Sequence, residues 1–125
     1  MRAISSPNAP QPIGPYSQAV ESGNFVFCSG QVAIVPDSGK LLDGDVRAQT
    51  EQVLRNLGEV LKAAGLSHAD VVKTTIFLID MNDFPAVNAA YVNAFAETKP
   101  ARSTVAVASL PLGARVEIDA IALRK

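Results

Sequence analysis

DVRAQTEQVLRNLGEVLKAAGLSHADVVKTTIFLID (Asp45–Asp80) carries two periodicities in succession. In its first half Val46, Val53, Leu54, Leu57, Val60, Leu61 and Ala64 recur at helical spacing and form one apolar stripe. A helix is expected from Asp45 to Ala64, with Asp43 or Asp45 as its N-cap. Gly65 is its left-handed stop, with Leu66 folding back. In the second half VVKTTIFLID is β-branched and becomes apolar on both faces, the pattern of a central strand. A helix with one greasy stripe followed by a strand buried on both sides predicts a sheet with helices packed against it.

The flanking segments extend this reading. RAIS is a short first strand, and SPNAPQPIGPY is a loop whose prolines reduce the entropy lost on fixing it. In SQAVESGNFVFCSG two extended runs flank Ser22-Gly23-Asn24, a hairpin turn. PDSGK is another turn. A second helix is expected from Asn82 to Ala96, capped by Asn82, with Asp83 and Pro85 in its first turn and Phe84, Val87, Tyr91 and Phe95 as its buried stripe. Strands then run from Ser103 to Ser109 and from Arg115 to Leu123, joined by LPLGA as a hairpin. The expected order is β-β-β-α-β-α-β-β, one α+β domain over residues 1–125. Two helices cover only one sheet face. TVAVAS and VEIDAIAL carry apolar or small residues on both faces, so the second face calls for a partner, most simply another copy of the chain.

Composition excludes several function classes. The net charge is -1, and the 11 Lys and Arg residues are scattered, which argues against a nucleic-acid backbone as partner. The single cysteine allows no intrachain disulfide and suits a reducing compartment. No segment reads as membrane-spanning and the N-terminus lacks an apolar signal core, so a cytoplasmic location is expected. One Cys and one His cannot build a standard Cys/His metal site, and no Ser-His-Asp relay can be assembled. Cys28 reads as a small core residue and His68, in the turn GLSHAD, as a surface residue.

The remaining candidates are few. Arg102 follows Pro100 at the start of a strand, where a guanidinium is either a solvated strand end or a fixed fork for a carboxylate. Alternation in RVEIDAIAL puts Val116, Ile118, Ala120 and Ala122 on one face, with Glu117 and Asp119 on the other. There Glu117 is a solvated acid or, if partly buried, a group that holds and polarises a water. Tyr16 is a loop anchor or a phenol aimed into a cleft. Asn88 reads as an ordinary polar residue of the second helix.

IGPYSQAV, FCSGQVAI, VVKTTIFLIDMNDFPAVNAAY and PARSTVAVASLPLGARVEIDAIA, in this order and spacing, resemble the RidA/YjgF family of enamine/imine deaminases nearly end to end. The resemblance implies a chorismate-mutase-like fold, a mixed β-sheet backed by two α-helices. It also implies a homotrimer with sheets facing inward, sites in the clefts between subunits, and no cofactor or metal. It assigns Arg102 to the substrate carboxylate, Glu117 to the attacking water and Tyr16 to the cleft mouth. Ser29, Gly30 and Asn88 join the binding site. Thr104 stands where many members carry a cysteine, so a mechanism needing a thiolate there is ruled out, while its hydroxyl still donates and accepts hydrogen bonds. The segment before Pro100 is shorter than in many members, which reshapes the cleft rim. The implied reaction is hydrolysis of short 2-imino acids to 2-oxo acids and ammonia. Two other readings are a non-enzymatic module that senses 2-oxo acids through the same arginine, and an RNA-cleaving translation inhibitor.

Overall fold

The computed structural model describes residues 1–125. The strands are β1 (Arg2–Ile4), β2 (Ala19–Ser22), β3 (Phe25–Gln31), β4 (Ile34–Val35), β5 (Lys40–Leu41), β6 (Val71–Leu78), β7 (Ala101–Ala106) and β8 (Val116–Leu123). The helices are α1 (Val46–Ala63) and α2 (Phe84–Phe95). Six strands form a mixed sheet in the order β1-β2-β3-β8-β6-β7, and β4 and β5 make a separate small hairpin. All pairs in the large sheet are antiparallel except β6 with β7.

Helix α1 forms as its sequence dictates. The Asp45 side chain accepts from Ala48 N at 2.8 Å, and Gly65 takes φ +76° while Leu66 N returns to Leu61 O. All seven stripe residues are buried. They pack with Val87 and Phe95 of α2 on a floor of Val26, Ile76, Leu78, Val116 and Ile118. Truncating one of these fully buried residues, such as Leu57 to Ala, removes its contacts and leaves a void worth about 2–5 kcal/mol.

The small β4–β5 hairpin makes five strands before α1 where three were expected, because PDSGK closes a hairpin of its own. Two further expectations fail. LPLGA does not close a hairpin. Strand β6 lies between β7 and β8, and Pro111–Gly113 is instead a 3-10 turn with Leu112 at φ 59°. The connection over residues 107–115 crosses an intervening strand, about 10 Å at ordinary strand spacing. Asn82 does not cap α2 either. Asp80 Oδ1 accepts from Asn82 N at 2.9 Å and caps a 3-10 turn over Met81–Asp83, which runs into the helix at Phe84. Asp83 is held instead by Arg115, whose Nη2 donates to its Oδ1 at 2.8 Å.

Both helices cover one face of the sheet, and the other is open. On β8 the residues Val116, Ile118, Ala120 and Ala122 are buried under the helices, while Glu117, Asp119, Ile121 and Leu123 alternate onto the open face. Phe25 and Phe27 lie opposite Leu123 and Ile121 on that face and are 43% and 42% exposed. Such a surface, aromatic and aliphatic together, is the kind that another chain covers. No helix is long and apolar enough to cross a membrane.

Candidate functional site

The seven candidate residues separate into two groups. The first gathers on edge strand β7. In the parallel pairing Arg102 lies beside Thr74 and Thr104 beside Ile76, so both share the helix-covered side with those buried residues. Arg102 Nη1 donates to Asn88 Oδ1 at 2.8 Å. Its Cζ stands 5.3 Å from the Phe84 ring centre and 4.9 Å from that of Tyr91. Phe84, Asn88 and Tyr91 follow one another at i, i+4 and i+7 on α2, so one helical stripe meets the whole guanidinium. Asn88 is half-buried rather than an ordinary exposed polar residue. A groove of about 440 Å³ runs along Arg102, lined by Tyr91, Val92, Phe95 and Pro100. Thr104 Oγ1 is buried without a hydrogen-bond partner in the chain.

The second group lies on the open face, where β3 meets β8. The register of β3 shifts between Cys28 and Gln31, so Ser29 and Gly30 together face the single step across Asp119. This bulge brings the Gly30 backbone against Glu117. A Cβ at residue 30 would stand 2.6 Å from Glu117 Oε2. Ser29 N donates to Gln18 O at 2.9 Å and Ser29 Oγ to Ser17 O at 2.6 Å, which draws the Tyr16 segment to the same corner. That segment is fixed from behind by the buried Gln18 amide, whose Nε2 donates to Ser6 O at 3.1 Å and Pro10 O at 2.8 Å. Tyr16 itself is 50% exposed. Burial raises the Glu117 carboxyl pKa above its ordinary value, and the nearby Asp119 charge raises it further. Asp119 is occupied by accepting from Thr75 N at 3.1 Å.

Glu117 pairs with Phe77 in the ladder and Arg102 flanks Thr74. Alternate residues of β6 point to opposite faces, so the acid and the cation of one chain are on opposite sides of the sheet. The chain does not bring its two groups together by itself.

Two other residues can be placed. Cys28 is buried among the core residues and burial pushes its thiol up to about 12, as suits a packing residue. His68 is more enclosed than a surface turn would make it. Its Nε2 lies 2.9 Å from Leu54 O, its ring meets Phe95 edge-on at 5.5 Å, and it fills a notch left by Gly58. The aromatic seat of Arg102 is the feature the sequence reading missed. Phe84 and Tyr91 read as core, and the signal was their spacing on either side of a polar Asn88.

The family model described as Endoribonuclease L-PSP matches residues 6–124. The 2-iminobutanoate/2-iminopropanoate deaminase of Mus musculus is 51% identical over 123 residues, covering 98% of this chain and 91% of that protein. The structure of the YjgF gene product of E. coli superimposes with a TM-score of 0.94 at 46% identity, covering 100% of both chains. E. coli TdcF with bound serine gives a TM-score of 0.94 at 41% identity, again over 100% of both chains.

Proposed function

Because the chain belongs to the Endoribonuclease L-PSP (RidA/YjgF) family, we propose that it hydrolyses short 2-imino acids to 2-oxo acids and ammonium, as a cytoplasmic homotrimer with its sites between subunits. The observation that supports this most directly is the division of the candidate residues. Arg102, Asn88 and Thr104 form one half of a site at the β7 edge. Tyr16, Ser29, Gly30 and Glu117 form the other half on the open face. A neighbouring copy covering the apolar open face would bring its half against the first.

In such a cleft each group has a definite task. The Arg102 guanidinium presents five N–H donors, of which Asn88 occupies one. The rest are free for the substrate carboxylate, which aims the adjacent imine carbon. Glu117, on the facing subunit, holds the water. Burial and the Asp119 charge raise its pKa, which makes the carboxylate a better proton acceptor than an exposed one. Water adds to the protonated imine carbon and gives up a proton to Glu117. The resulting carbinolamine takes that proton on nitrogen, the C–N bond breaks to release ammonia as Glu117 takes the hydroxyl proton and the carbonyl forms, and that proton passes to ammonia to give ammonium. The protonated imine and water thus balance against the 2-oxo acid and ammonium. The thiol-free Thr104 can hydrogen-bond water or substrate but does not act as a nucleophile here.

RNA cleavage, which the family description names, fits this chain less well. Arg2 and Arg124 are tied to Glu21 and Arg115 to Asp83, and the net charge is -1, which weakens the attraction to a phosphate backbone.

The test is a competition. A serine or threonine dehydratase generates the imine, semicarbazide traps it, and the protein is added. Faster 2-oxo acid release with less semicarbazone, lost in Arg102→Ala, is the expected result. An unchanged semicarbazone yield from folded protein overturns the reading. In that case calorimetric binding of 2-oxobutyrate would favour the sensor.

A further inference from the structure

Arg102 is an exposed side chain on an edge strand, yet it is held from several sides. Asn88 fixes one amino group. The Tyr91 ring, nearer to the guanidinium than Phe84, gives it a π face. Tyr91 is fixed in turn. Its hydroxyl lies 2.7 Å from Thr74 Oγ1, both groups buried, and its ring packs on Phe95 at 4.6 Å between centres. Thr74 is the residue beside Arg102 in the ladder, so the strand that flanks the arginine also anchors the ring beneath it. A pair that only filled the core would need neither hydroxyl, since Val and Phe are the apolar shapes of Thr and Tyr.

We propose that Tyr91, anchored through Thr74, is a positioning residue for the Arg102 carboxylate clamp. The proposal rests on the reading of Arg102 as that clamp. The ring holds the guanidinium in its bound direction before the substrate arrives. The hydroxyl pair sets the ring's angle, and burial keeps the phenol neutral. Carboxylate binding is common to the ground and transition states, so its loss should appear in KM more than in kcat.

The test compares Tyr91→Leu, Tyr91→Phe and the double variant Tyr91→Phe/Thr74→Val. Three readouts are used: kinetics with 2-iminopropanoate, calorimetric affinity for 2-oxobutyrate, and the NMR signal of the Arg102 Nε–H. Tyr91→Leu is expected to raise KM and weaken 2-oxobutyrate binding about tenfold with kcat within about threefold, and to shift the Arg102 signal as the ring current is lost. The two Phe variants keep a ring but lose its hydroxyl anchor, so they should raise KM by an intermediate amount, about threefold, with a smaller shift of the Arg102 signal; a KM and signal identical to those of the unsubstituted chain would overturn the role of Thr74 as the anchor. If Tyr91→Leu only lowers the unfolding temperature, leaving KM, affinity and the Arg102 signal unmoved, Tyr91 is a packing residue and the proposal is wrong. Should the unsubstituted protein bind 2-oxobutyrate but not hydrolyse the imine, the deaminase reading fails, and the affinity and NMR arms still decide the role of Tyr91. If it binds no 2-oxobutyrate, Arg102 is not a carboxylate clamp and the proposal falls with it.

Discussion

Arg102 and Glu117 lie on opposite faces of one sheet, the first beside Thr74 under α2 and the second beside Phe77 on the open side. Two strand steps separate β7 from β8 as well, about 10 Å. No side-chain rotation carries either group through the sheet, so a reaction that uses both must draw them from two copies.

That relationship predicts complementation. Arg102→Ala and Glu117→Ala chains, each inactive alone, should recover activity when co-expressed with separate tags. In a random mixture a cleft is intact when one neighbour carries the native arginine and the other the native glutamate, about a quarter of the clefts in any ring of copies. Mixed oligomers no more active than either parent would mean that the two residues do not share a cleft.

How much of this the sequence carried depended on how local the cause was. The α1 stripe from Val46 to Ala64 and the Gly65 stop depend on neighbours within a few residues and could be read, as could the cap to within Asp43 or Asp45, of which the structure uses Asp45. The insertion of β6 between β7 and β8 could not. Val105 and Val116 alternate as hairpin strands would, and only the competition for β6 separates them. The Asn82 cap failed because Asp80, two residues earlier, offered a carboxylate to the same turn. At the site, Arg102 and Glu117 stood out as charges on apolar strands. The Ser29–Gly30 bulge and the Tyr91 seat of Arg102 did not, because both are contacts between distant segments.

Gly30→Ala should damage turnover without damaging the fold. Gly30 is not at a positive φ, so alanine is not strained there, but its Cβ would fall 2.8 Å from Glu117 Cδ. The carboxylate must move aside, and a shift near 1 Å in a reacting group can cost about a hundredfold in rate. The expected result is a large fall in kcat with an unfolding temperature close to that of the unsubstituted protein. Unaltered kcat would show that the placement of Glu117 against the bulge is irrelevant to the reaction.

Glu117→Gln should trade activity for stability in a pH-dependent way. Burial and Asp119 raise the carboxyl pKa in the folded chain above the unfolded value of 4.5. The folded state therefore binds the proton more tightly. The stabilisation tied to that proton is complete below the unfolded pKa and is lost as pH rises through the folded one. At neutral pH the native carboxylate is a liability that glutamine lacks. Thermal unfolding should show Glu117→Gln as the more stable protein at pH 7, with the gap closing towards pH 4, while imine hydrolysis is lost. A stability difference that does not change with pH would contradict the buried-carboxylate account. For the native enzyme, kcat/KM should fall on acidification through the same raised pKa, because the proton-accepting form disappears.

Thr104→Val separates a structural hydroxyl from a functional one. The Thr104 Oγ1 is buried with no partner within the chain, and Arg102 lies two residues away on the same side of β7. A buried hydroxyl left unpaired costs about 1–3 kcal/mol, so the valine isostere should raise the unfolding free energy by about 1 kcal/mol. If the hydroxyl meets substrate or the attacking water in the assembled cleft, the same change should lower kcat/KM about tenfold, the worth of one hydrogen bond of ordinary net strength. Thr104→Ser restores the hydroxyl without the methyl and should recover the rate but not the added stability. Stability gained with no loss of rate would identify Thr104 as a bystander to the arginine, and the open donors of Arg102 would then account for substrate binding on this half of the cleft without it.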